Sequence, residues 1–147
     1  MRKEDYLFIA VNLYSICSII LEDSLPLISK AVYPFKHECI TVNKDSLEVV
    51  GTSWTSRESI LKKSGSPVST DPFLNPQYNL ISGVLSSRVD PGNILDYQSG
   101  DIVLVHNAVA YSPSPENIIP CNLEFAIRAD GENKQLQRIE RRVQWYV

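Results

Sequence analysis

Near the start of the chain, Leu7, Val11, Tyr14, Ser18 and Leu21 recur at three- and four-residue steps. That spacing predicts a helix over residues 4–22. Phe8, Ile16, Ile19 and Ile20 spread apolar character around most of its girth, so such a helix needs cover on nearly every side. Asp23 or Ser24 can cap a second, short helix with Pro26 in its first turn, ending before Pro34.

The period then changes. Residues 38–42 and 46–52 read as two strands around the turn Asn43-Lys44-Asp45. Thr55 and Glu58 have capping-box spacing and predict a short helix that stops near Gly65. Ser66 to Pro76 is rich in Ser and Pro and reads as a loop. Four further strands are expected at about residues 78–89, 101–112, 121–129 and 134–147. Asp90-Pro91-Gly92-Asn93 opens the first connection between them, and Asp130-Gly131-Glu132-Asn133 makes the last one a hairpin. Between them, Pro113, Pro115 and Pro120 make an irregular connection. Leu123, Phe125 and Ile127 alternate with Glu124, Ala126 and Arg128, and Ile139, Arg141, Val143 and Trp145 share one face of the final strand. Such alternation marks half-buried antiparallel strands. The expected architecture is therefore α+β: one soluble domain over residues 1–147, with N-terminal helices packed on a curved, mostly antiparallel sheet.

Composition adds exclusions. At 147 residues, 44% hydrophobic and 21% charged, the chain has a globular balance and not that of a disordered segment. A net charge of −3 leaves no basic footprint for nucleic acid, and the cluster Arg138, Arg141 and Arg142 is interleaved with Glu140 in a strand. Cys17, Cys39 and Cys121 form no CxxC pair, and His37 and His106 form no HxxxH or HxH pair. Neither metal nor organic cofactor is expected, and the thiols read as reduced and mostly buried. Arg2 and Lys3 precede an apolar run, but Glu4 and Asp5 spoil a signal-peptide start, and the run is too short and polar for a membrane span. A cytoplasmic protein is expected.

Three local features resemble one known group. Leu47-Glu48-Val49-Val50-Gly51 runs into Ser56-Arg57-Glu58-Ser59-Ile60; Asn79-Leu80-Ile81-Ser82-Gly83-Val84 is followed by Gly100-Asp101-Ile102-Val103-Leu104-Val105-His106-Asn107; and Ile139-Glu140-Arg141-Arg142-Val143-Gln144-Trp145 closes the chain. Together with the order of elements, these resemble the cone-shaped fold of nuclear transport factor two and its SnoaL-like relatives. The second pair is similar to the central strands of ring-hydroxylating dioxygenase small subunits. The resemblance implies an apolar cavity between sheet and helices, frequent pairing of subunits, and in many enzymes an Asp and His pair. This chain departs from that pair: the first helix offers Ser18 where an aspartate would stand, and the first long strand offers Tyr78 or Asn79 and no histidine.

Other residues can carry protons. His106 lies well inside an expected strand, on a face with Leu104, Ala108 and Ala110, and imidazole titrates nearest neutrality. It reads as a proton carrier or as a satisfied histidine. Glu124 and Arg128 form either a solvated face or a pair facing the pocket. Arg141 between Ile139 and Val143 needs an acidic partner or a ligand oxyanion. Tyr14, Tyr78 and Tyr111 can offer hydroxyls to a ligand, with Trp54 and Trp145 as aromatic walls. The implied activity is that of a small cofactor-independent isomerase, cyclase or dehydratase acting on an apolar metabolite through His106, Glu124 and Arg141. Its rivals are a structural subunit of a ring-hydroxylating dioxygenase and a non-catalytic ligand-binding module. A homodimer or larger homo-oligomer is expected, without nucleic acid or membrane.

Overall fold

The structure, a computed structural model, describes residues 5–13, 25–92, 102–121, 123–130 and 133–140. It overturns the α+β cone. Strand makes up 45% and helical residues 11%, with no helix of seven or more residues among those described, so no layer of N-terminal helices closes over the sheet. None of the described helices is long and apolar enough to cross a membrane.

The correction begins at the first element. Phe8–Asn12 is a strand, β1, hydrogen-bonded in parallel to Gly83–Ser87 (β6) from Phe8↔Gly83 to Asn12↔Ser87. A short apolar run has no period that separates strand from helix. The aromatic and β-branched residues Phe8, Ile9 and Val11 suit the pleat, and β6 supplies the hydrogen-bond partners. The remainder of the expected first helix, residues 4 and 14–22, lies outside the described residues.

The chain divides into two compact units, one of Met1–Ile19 with Phe73–Val147, the other of Ile20–Pro72. The first unit holds a five-stranded sheet in the order β1-β6-β7-β8-β9, where β7 is Ile102–His106, β8 Leu123–Asp130 and β9 Asn133–Glu140. It is mixed: β1 with β6 and β7 with β8 run parallel, while β6 with β7 and β8 with β9 run antiparallel. Register places Val84, Val103, Val105, Leu123, Phe125 and Leu136 on one face, and all of them are buried. On the other face Leu104 and Glu124 are buried as well. The middle of the sheet is thus covered on both sides, as its near-continuous apolar run Ile102-Val103-Leu104-Val105 requires.

The first described element of the second unit is a short helix, α1 (Leu27–Val32), which ends before Pro34 as expected. Next comes a hairpin of β2 (Phe35–Val42) and β3 (Val49–Ser56) around the anticipated turn. Asn43 Oδ1 accepts from the N–H groups of Asp45 and Ser46 at 2.8 and 3.3 Å, which fixes that turn. The helix expected from Thr55 and Glu58 does not form. Thr55 Oγ1 instead accepts from the His37 N–H at 3.0 Å across the hairpin, and Ser59–Leu61 (β4) pairs with Pro67–Ser69 (β5). Cross-strand pairing outweighs the local capping signal.

Candidate functional site

The chemistry in the first unit gathers where β7 ends and β8 begins. His106 is the last residue of β7, and Glu124 is the second of β8, where its neighbour across the ladder is Leu104. Leu104 and His106 lie on one face of β7, so the imidazole stands diagonally across from the Glu124 carboxyl group. His106 Nε2 lies 2.9 Å from Glu124 Oε2. The other ring nitrogen, Nδ1, lies 2.9 Å from Ser114 Oγ. Glu124 has no exposed surface, and the His106 side chain keeps 10%.

The connection from β7 to β8 is held down by the same groups. The Asn117 N–H donates to both Glu124 oxygens, at 3.0 and 3.2 Å. Asn117 has φ 63, a left-handed conformation that asparagine tolerates better than most residues. One residue earlier, Glu116 pairs with Arg128 of β8. Prolines at 113, 115 and 120 limit how far this strap can wander. It is therefore pinned through Ser114, Glu116 and Asn117. Just after His106, the buried Asn107 donates from Nδ2 to the carbonyls of Tyr78 and Ile81, at 2.9 and 2.8 Å. Its Oδ1 accepts from the Val109 N–H at 3.0 Å. That fixes the end of the strand that carries the histidine.

In the tautomer whose Nε2–H donates to Glu124, Nδ1 accepts from the Ser114 hydroxyl. Ser114, His106 and Glu124 form a continuous chain of hydroxyl, base and orienting carboxyl group, the usual signature of an activated nucleophile. Two features differ from the Ser-His-Asp arrangement of hydrolases, in which Nε2 faces the serine and Nδ1 the acid. Here the ring is turned round. Residue 115 is proline, so no backbone N–H follows Ser114 to help stabilise an oxyanion.

Beside this site the register aligns Phe8, Gly83 and His106 in one row across three strands. A side chain at Gly83 would meet the Val105 carbonyl oxygen at 2.8 Å and the Phe8 ring at 3.2 Å. The glycine is what lets the phenyl ring lie over the strand next to the histidine.

Of the residues singled out in the sequence, the structure brings His106 and Glu124 together. Arg128 sits on the same face, but it is exposed and holds Glu116 and Gln137. Tyr78 ends a single-turn 3-10 helix (Pro76–Tyr78) and Tyr111 lies in the connection after β7, both with exposed side chains. Trp54 belongs to the second unit, its ring 6.2 Å from that of Phe35. His106 ends its strand, so the face expected to continue to Ala108 and Ala110 stops there. Arg141, Tyr14 and Trp145 lie outside the described residues. Of the cysteines described, Cys121 is buried and Cys39 exposed. Sequence reasoning missed Ser114, Asn117 and Asn107. The available signal was a serine flanked by two prolines in a connection between strands. No protein-family model, curated protein or solved structure matches the chain.

Proposed function

We propose that this chain is a cofactor-independent enzyme in which His106 moves the proton, Ser114 is the hydroxyl it activates and Glu124 holds the ring. The observation that carries the reading is the hydrogen-bonded chain itself, 2.9 Å from Ser114 Oγ to His106 Nδ1 and 2.9 Å from His106 Nε2 to Glu124. The reaction it suits is acyl transfer. The Ser114 oxygen attacks a carbonyl carbon as its proton passes to Nδ1, and the leaving alkoxide or thiolate takes that proton as the acyl bond breaks. Water then repeats the sequence on the acyl-serine and releases the acid. Loss of one oxyanion donor costs about 10²–10³ in rate, so the absent N–H at Pro115 points to activated esters or thioesters as substrates. The isomerase, cyclase or dehydratase chemistry implied by the family resemblance would use the same His106 without a covalent step.

A second reading rests on burial. Glu124 is wholly enclosed and the imidazole nearly so, which suits a clasp that only holds the strap between β7 and β8. The test is to incubate the purified chain with a fluorophosphonate probe and with p-nitrophenyl esters. Labelling at Ser114, lost in Ser114→Ala and His106→Gln, supports acyl transfer. Turnover that survives Ser114→Ala but not His106→Gln leaves the proton carrier without the nucleophile. If the native chain is neither labelled nor active while His106→Gln is unstable, the clasp is what remains.

A further inference from the structure

One face of the β2–β3 hairpin carries most of its aliphatic side chains, and among the described residues that face is open. Register pairs Glu38 with Trp54, Ile40 with Thr52 and Val42 with Val49, with Val50 the extra residue of a bulge. Alternation puts Glu38, Ile40, Val42, Trp54, Thr52 and Val50 on one face, the bulged register pairs Val49 with Val42 there, and Cys39 and Ser53 lie on the other. Ile40 is 61% exposed, Val42 45%, Val49 62% and Val50 61%. Among the described strands, β2 and β3 hydrogen-bond only to each other, and a lone two-stranded ribbon is marginal in water.

The turn beyond the bulge adds an independent sign. Leu47 has φ 59, a conformation that costs a bulky residue backbone energy and that turns normally give to Gly, Asn or Asp. Its side chain is nevertheless 78% exposed. Strain of this sort persists where another interaction repays it.

We propose that this face pairs with the same face of a second copy of the chain. The surface left open by Leu47 and the four strand residues is on the order of 500 Å² per copy, so two copies would bury about 1,000 Å², near the lower limit of a specific interface. Its inner side chains, Thr52 among the aliphatic ones, are uncharged, with Glu38 toward one end, so nothing on it selects a partner of opposite charge. A two-fold axis needs only a patch complementary to itself. Two ribbons stacked face to face form a small sandwich, with Ile40, Val42, Val49 and Val50 interdigitating at its centre.

Sedimentation equilibrium on the full chain tests this. The native chain should form dimers at micromolar concentration. Leu47→Asn relieves the turn and so keeps the fold, yet it should weaken dimerisation, and Val49→Lys should weaken it at least about ten-fold. Ser53→Lys, on the opposite face, should leave association unchanged. A native chain that is monomeric over this range overturns the proposal. So does a dimer that Leu47→Asn and Val49→Lys do not weaken, or one that Ser53→Lys weakens as much as they do.

Discussion

Glu124→Ala is the most informative single change, because the carboxyl group it removes has no exposed surface, faces the His106 ring and accepts from the Asn117 N–H. The substitution removes the acceptor that faces the enclosed His106 Nε2 and the acceptor of the Asn117 N–H, which lies on an exposed residue that water can reach. A buried donor deprived of its acceptor costs about 1–3 kcal/mol, and loss of the side-chain methylenes adds on the order of 1 kcal/mol. The expected loss is about 2–4 kcal/mol, a sizeable share of the roughly 5–15 kcal/mol that holds a typical domain folded. Measured by urea unfolding with a slope of about 2 kcal/mol/M, the midpoint should fall by roughly 1–2 M. Adding His106→Ala to Glu124→Ala should cost less than His106→Ala alone, because the bond between ring and carboxyl group is already gone. The expected coupling is about 0.5–3 kcal/mol. A midpoint shift under about 0.5 M, or additive losses, would refute the hydrogen-bond reasoning.

Gly83→Ala should destabilise the chain by about 1–3 kcal/mol in the same assay, since the Val105 carbonyl that its Cβ would strike at 2.8 Å belongs to the backbone and has little room to move. Arg128→Ala should cost under about 1 kcal/mol, because the pair with Glu116 is half exposed and solvent screens it; a larger loss in urea would make that ion pair a principal anchor of the strap. In the native protein Cys39 should react with iodoacetamide well before Cys121, one being exposed and the other buried. Peptide mass spectrometry showing equal rates would contradict that placement.

How much of this could be read from the sequence differs by element. The β2–β3 hairpin was legible because the turn residues and the β-branched runs agree. The first element was not, because Phe8 to Val11 is too short for period to decide, and its pairing partner lies far along the chain at β6. Thr55 misled for a related reason: a threonine three residues before a glutamate fits a helix cap, while its true partner, His37, is reached across the hairpin. The candidate site was half legible. His106 stood out by residue type. Glu124 was found on an alternating strand, but alternation could not reveal that both faces there are covered. Ser114 sits in an irregular connection, where no period predicts which way a side chain points.

The second unit lies in sequence between β1 and β6, strands that are neighbours in one sheet. Closing that sheet joins Leu7 to Ser82 across 75 positions, whereas the paired ends of β8 and β9, Asp130 and Asn133, are three positions apart. Closure entropy rises by about 0.6 kcal/mol for each doubling of loop length, so β1 carries the largest chain-entropy penalty in the sheet. Among the described strands it also lies at an edge, bonded along one side only. In hydrogen exchange, β1 should therefore be the first strand to release its amides, well before global unfolding. Its Phe8 ring is the one that lies over Gly83 in the row of His106. The least costly fluctuation of the sheet is thus one that lifts the apolar flank away from the histidine.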